Sequence, residues 1–183
     1  MKIRTIIASL FVISAMVSNA QITMPSFFND NMVLQQNSIV TFRGTAKPNA
    51  KVTIDTGWNN KKVSTRSDDK GNWATEISTP TYGGPFDIVV SDGEAKTLKN
   101  VYVGEVWLCS GQSNMEMPLR GFTGQPVEGS LEMIAEASSH RNIRLFRQEN
   151  AWSTTPLNDI TNAKWELPTS DAVAQFSAVG YVF

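Results

Sequence analysis

Ser113 stands in Ser110-Gly-Gln-Ser-Asn-Met115, directly after the apolar run Val-Tyr-Val-Gly-Glu-Val-Trp-Leu-Cys at 101–109. The chemistry open to such a serine is attack on an acyl carbonyl. Its hydroxyl is a weak nucleophile until a base removes the proton and donors hold the oxyanion that forms. A tight turn after a strand meets the geometric part of that need. Gly111 lets the backbone approach closely, and the N–H groups after Ser113 can face a developing negative charge. Gly-x-Ser by itself also occurs in ordinary turns. The pattern departs from the Gly-x-Ser-x-Gly elbow, because Met115 holds the place of the second glycine. The strand before the turn is what favours a nucleophile.

A base for that serine is harder to find. The single histidine, His140, lies in Ser138-Ser-His-Arg-Asn142, between a helix and a strand, and reads as solvated surface. Histidine is the usual base in serine acyl transfer, so residues 1–183 alone are expected to hydrolyse acetyl esters negligibly. No Cys/His cluster predicts a metal and no glycine-rich loop predicts a nucleotide, so no cofactor is called for. Asp68-Asp-Lys-Gly-Asn72 lacks the acidic spacing and terminal glutamate of a calcium loop and reads as a hairpin turn. Trp58 sits in a polar turn and is the better sugar-stacking candidate. Trp73 opens a strand after Gly-Asn and reads as a core anchor.

Two kinds of element must position these residues. Residues 21–98 carry short β-rich runs at 32–36, 39–45, 51–56, 62–67, 73–78 and 86–91, separated by Gly, Pro, Asn and Asp clusters. Val52 with Ile54, and Ile88 with Val90, alternate as half-buried strands do. This spacing predicts a β-sandwich of Ig-like or jelly-roll type. Residues 99–183 change grammar: the apolar run at 101–109 predicts a strand covered on both faces. A helix follows at 130–138, with Leu131, Ile134 and Ala135 at helical spacing, and a strand at 142–146. Strand, turn, helix, strand is the opening of a doubly wound α/β domain. A helix start at Ser170 or Asp171 leads into an apolar stretch that reaches Phe183 without a polar tail, so the α/β domain is expected to be incomplete.

Residues 1–20 read as a secretory signal peptide: Lys2 and Arg4, an apolar stretch at 5–17, and Ser18-Asn-Ala20 as the cleavage site. The apolar part is too short for a membrane anchor. The mature chain is expected to be exported, to the periplasm or outside the cell. Losing Lys2 and Arg4 moves the formal net charge from -1 to -3. No basic block remains, so nucleic acid is a poor partner. One cysteine forms no internal disulfide, and Cys109 reads as a small buried hydrophobe.

The block Trp107-Leu-Cys-Ser-Gly-Gln-Ser-Asn-Met-Glu-Met-Pro-Leu119 resembles the nucleophile block of the sialate O-acetylesterase family, within the SGNH hydrolases. Phe28-Asn-Asp-Asn-Met-Val-Leu-Gln35, Gly44-Thr-Ala-Lys-Pro-Asn49, Asp69-Lys-Gly-Asn-Trp73 and Gly83-Gly-Pro-Phe86 resemble that family's N-terminal β-domain. Asn142-Ile-Arg-Leu-Phe146 and Phe176-Ser-Ala-Val-Gly-Tyr181 resemble its next segments. The resemblance implies an SGNH-type, flavodoxin-like α/β esterase domain over 99–183. It implies removal of O-acetyl groups from sialic acids or related acetylated glycans, with Ser113 as nucleophile. Gly180 is either the family's oxyanion glycine or a small residue where a helix packs closely. The oxyanion asparagine and an Asp-x-x-His-type segment are expected beyond Phe183. Asn114 is not that asparagine, and serves local bonding. The alternatives are a non-catalytic carbohydrate-binding module and an acetylxylan-type esterase.

Overall fold

Alternation and turn residues set the first seven strands. The computed structural model describes residues 22–59, 61–160 and 162–183, so the expected signal peptide lies outside the described residues. The strands are β1 (Val33–Gln35), β2 (Ile39–Thr45), β3 (Lys51–Asp55), β4 (Lys62–Arg66), β5 (Asn72–Ser78), β6 (Gly83–Ser91) and β7 (Ala95–Gly104). One sheet has the order β1-β7-β6-β3-β4, and β2 pairs with β5 in the other. Neighbours are antiparallel except β1 and β7, which run parallel with Val33 opposite Tyr102.

The sheets share one core. Phe42, Trp73 and Ile77 from the small sheet meet Val52, Ile54, Ile88, Val90, Leu98, Val101 and Val103 from the large one. Val52, Ile54, Ile88 and Val90 are each fully buried, the faces their alternation predicts. Trp73 is the core anchor expected of it. Trp58 is half-buried and meets Phe86 edge-on at 5.5 Å, so its ring packs on the core. Gly44 is required where it stands: a Cβ there would collide with the carbonyl of Thr23, which bridges to Thr45.

The turn at 68–72 is tied by Asp68, whose Oδ1 accepts the N–H groups of Lys70 (2.9 Å) and Asn72 (2.7 Å). The Asn72 side-chain amide, which also donates to this carboxylate, and those backbone bonds hold the Asp68 carboxyl below its ordinary pKa. It is not a hairpin. Its flanking strands belong to different sheets, β4 pairing with β3 and β5 with β2, so the turn carries the chain from one layer to the other.

After β7 come α1 (Ser113–Glu116), α2 (Ser130–Glu136), a 3-10 turn (Ala137–Ser139), β8 (Leu145–Phe146), β9 (Trp165–Glu166), α3 (Ser170–Gln175) and α4 (Ala178–Val182). Leu119, Ala137, Leu145, Val173 and Ala178 form a second, smaller core. The helix expected at 130–138 is present, but its buried face differs. Ser130, Met133, Ile134 and Ala137 turn inward, while Leu131 is 78 % exposed and Ala135 also faces solvent. That inward set follows the i, i+3, i+4, i+7 spacing of one helix face, and Leu131 lies off it.

The strand expected at 101–109 also reads differently in the structure. Its first four residues belong to β7, inside the large sandwich sheet, and 105–112 pairs with no strand among the described residues. β8 pairs antiparallel with β9, Leu145 opposite Glu166, instead of extending a parallel sheet. The overall architecture is a mixed β-sheet and helix fold.

Candidate active site

Glu105 fixes the point where the chain leaves the sandwich. Its carboxylate accepts from Gln35 Nε2 (3.0 Å) and Gln36 Nε2 (2.5 Å), and Gln35 Oε1 accepts from Val106 N–H (2.9 Å). These bonds, Gln35 first, lower the Glu105 pKa. From there the chain crosses to α1 with Trp107 66 % and Leu108 94 % exposed. Trp107 meets Phe183 edge-on at 5.1 Å.

Ser113 is the first residue of α1 and faces solvent. Gln112 caps the helix, its carbonyl accepting from Met115 N–H (2.9 Å) and Glu116 N–H (3.2 Å). The N–H groups of Ser113 and Asn114 have no partner among the described residues, as the first turn of a helix requires. They are donors left free beside the hydroxyl. Gly111 packs against Met115, where a Cβ would meet the Met115 Cβ at 3.3 Å.

The turn is held from the far end of the sequence. Leu119 N–H donates to Phe176 C=O (2.8 Å), Arg120 N–H to Ala174 C=O (3.0 Å), and Ala178 N–H to Met117 C=O (2.8 Å). Side chains add to this clamp: Ser177 Oγ contacts Met115 Sδ at 3.2 Å, and Asn150 Nδ2 donates to Glu116 Oε1 at 2.6 Å. Sequence reading missed Asn150 and Ser177. A sequence signal existed for Ser177, a serine three residues before Gly180 in the N-cap position of α4, where it accepts the Gly180 N–H. Asn150 lies in an irregular segment, and nothing local marks it.

Gly180 sits on α4, where a Cβ would meet Cys109 Cβ at 3.4 Å and the Phe176 ring at 3.3 Å. It is a close-packing glycine, and its N–H donates to Ser177 Oγ at 3.2 Å. Cys109 is half-buried and unpaired. His140 is exposed at the end of the 3-10 turn, with no hydrogen bond to Ser113 among the described residues. A cleft of about 540 Å³ opens beside this segment, lined by Tyr102, Cys109, Arg144, Phe176, Gly180 and Tyr181. Ser113 is not part of its lining. Burial raises the Tyr181 hydroxyl pKa, and that hydroxyl has no partner among the described residues. Among the described residues no group of three or more His, Cys, Asp or Glu is placed to hold a metal. No helix there is long and apolar enough to cross a membrane.

The chain is 27% identical over 157 residues to the mouse protein named sialate O-acetylesterase, covering 79% of this chain and 28% of that protein. It is 27% identical over 175 residues to the human one, covering 86% and 32%. The crystal structure of a novel carbohydrate acetylesterase from Xanthomonas citri superposes with a TM-score of 0.79 at 30% identity, covering 88% of this chain and 36% of that one. The chain is a distant homologue of these acetylesterases. No protein-family model matches it. The chain spans 28% to 32% of the length of these curated acetylesterases. The match to the acetylesterase structure runs through sandwich and helices alike, which makes the mixed architecture esterase-like.

Proposed function

We propose that this chain is the first part of an exported serine carbohydrate esterase in which Ser113 attacks the acetyl carbonyl. Residues 1–20 are its signal peptide, 21–104 its β-sandwich domain, because β7 runs to Gly104 within the sandwich sheet, and the residues after it the start of an SGNH-type α/β domain. The observation that carries the reading is Ser113 itself: an exposed hydroxyl at the first position of α1, flanked by two free backbone N–H groups. The clamp from 174–178 holds that turn in place, which is what a preorganised nucleophile needs.

The reaction then runs as two acyl transfers. Ser113 Oγ adds to the ester carbonyl, a base takes its proton, and the sugar alcohol leaves with a proton returned to it. Water repeats the attack and releases acetate. In this reading the N–H groups of Ser113 and Asn114, without partners among the described residues, hold the oxyanion. For Gly180 to join them, its N–H must exchange the Ser177 Oγ bond for the oxyanion. His140 is exposed and makes no bond to Ser113. The base therefore belongs to the length of the relatives that this sequence does not span. The chemistry requires no cofactor.

The substrate is an O-acetylated sialic acid or a related acetylated glycan. Support comes from the relatives named sialate O-acetylesterase, while the Xanthomonas protein carries the broader description, carbohydrate acetylesterase. The test is acetate release by the protein of the whole reading frame that contains residues 1–183. Acetylated sialic acid and acetylated xylan are compared, with and without Ser113→Ala. Faster release from sialic acid, lost with Ser113→Ala, is the expected result. Preference for xylan changes the substrate and keeps the chemistry. Activity that survives Ser113→Ala removes Ser113 from the mechanism.

A further inference from the structure

α1 carries Ser113 and contains no buried residue. One turn of helix does not hold itself together, so contacts from outside fix where it points. Its C-terminal end is anchored through the backbone, Ala178 N–H donating to Met117 C=O at 2.8 Å. Among the described residues two side-chain contacts tie the helix itself. Ser177 Oγ meets Met115 Sδ at 3.2 Å, and a thioether sulfur is a weak acceptor. Asn150 Nδ2 donates to Glu116 Oε1 at 2.6 Å, a short bond to a charged acceptor and the stronger of the two.

Asn150 is itself held. Leu145 of β8 lies in the small core, and Arg147 Nη1 donates to Gln175 C=O at 3.0 Å. Asn150 follows three positions later, so its amide reaches α1 from a segment fixed to the end of α3. Glu116 stands three positions after Ser113, which places both side chains on one face of the helix, their Cβ atoms about 5–6 Å apart. Negative charge develops on the substrate oxygen beside Ser113, and an unengaged carboxylate at that distance opposes it.

We propose that Asn150 is a positioning residue for Ser113. Through Glu116 it sets the direction of α1, and its amide keeps the neighbouring carboxylate engaged while the oxyanion forms. A carboxylate only accepts, so the Asn150 amide presents its NH2 group to it. An aspartate at that position would turn the attraction into repulsion. The role needs no contact between Asn150 and the substrate. The inference rests on the esterase reading of Ser113.

The test compares p-nitrophenyl acetate hydrolysis, and the rate at which an organophosphonate modifies Ser113, in variants of the whole-reading-frame protein. Asn150→Ala should lower kcat and the modification rate about ten-fold, with KM within about two-fold, because misaligned attack costs rate and not binding. Asn150→Asp should cost more, about a hundred-fold. Asn150→Asp combined with Glu116→Gln rebuilds the bond with donor and acceptor exchanged, and should return to within about three-fold of the parent. Should Asn150→Ala fail to fold, Glu116→Ala breaks the same bond and should lower kcat in the same direction. Unchanged kcat and modification rate in the folded single variants overturn the inference, as does a double variant no better than Asn150→Asp. Ser113→Ala separates the two readings. If it leaves hydrolysis intact, the esterase reading fails and this inference falls with it. If it abolishes hydrolysis while Asn150→Ala does not slow it, the inference alone fails.

Discussion

Up to Gly104, Ile39 and Tyr82 are the strongly exposed large apolar or aromatic side chains among the described residues; after it there are twelve, from Val106 to Phe183. The contrast is in how each region closes. In the sandwich, alternate residues of two sheets face one another, so Phe42, Ile54 and Ile88 cover each other completely. After Gly104 the candidate nucleophile follows a segment with apolar residues on both faces, and Trp107 and Leu108 stay in solvent. Alternation needs one neighbour and a continuous apolar run needs two. The first region finds its neighbour within itself. The second holds the segment that follows Ser113 by backbone bonds from 174–178 more than by burial.

This contrast can be broken by cutting each core. Phe42→Ala, in the sandwich, should cost about 3–5 kcal/mol and lower the midpoint of global urea unfolding. Leu119→Ala, in the small core, should cost about 2 kcal/mol, the low end for such a deletion, because its neighbourhood can collapse. Its readout is local: hydrogen exchange should quicken in α3 and α4 while β3 and β6 stay protected. Equal loss of protection in both regions would show one cooperative unit instead of two. Thr169→Ala removes the cap whose hydroxyl accepts Ala172 N–H at 3.2 Å and should cost about 1 kcal/mol, again confined to α3.

A gentler probe is pH, through the contact between the regions. Burial pushes the Asp159 carboxyl up, but the hydrogen bonds from Ser26 and Ile160 and the charge of Arg43 together outweigh it and leave the pKa below its ordinary value. A lowered carboxyl stabilises the folded state above its unfolded pKa, and the benefit disappears as pH falls through the folded value. The contact of 158–160 with Ser26 should therefore hold at neutral pH and loosen below about pH 4. Asp159→Asn should remove that dependence, as read by amide exchange at Ser26 and Ile160. Smallest of all, Leu131→Gln should change stability by less than about 0.5 kcal/mol, because that side chain is 78 % exposed.

Much of the sandwich was legible because its signals are local. β2 spans Ile39–Thr45 as its alternation and flanking turns predict. β7 was harder, since Lys96, Lys99 and Asn100 disguise its first half as a turn and its apolar second half reads as the next domain. The link at 68–72 looks like a hairpin from its residues, and only the pairing of β4 and β5 with different partners shows otherwise.

Around Ser113 the helical turn was legible and its support was not. The break at Phe176 between α3 and α4 is marked in the sequence only by Ser177, the N-cap of α4, in an apolar stretch that otherwise reads as one helix. It exists because Phe176 C=O turns away to accept Leu119 N–H, 57 positions back in the sequence. Tertiary bonds of that kind override local helix preference. Leu131 faces outward for a related reason: Ser130 and Ala137, small residues with weak hydropathic signal, take the buried positions.

The most direct measurement is covalent labelling of the whole-reading-frame protein with a serine-reactive organophosphonate, followed by mass spectrometry of its peptides. An adduct on Ser113, absent when residues 22–183 are treated alone, is the predicted result. An active enzyme labelled at another serine, with Ser113 unmodified, would contradict the account.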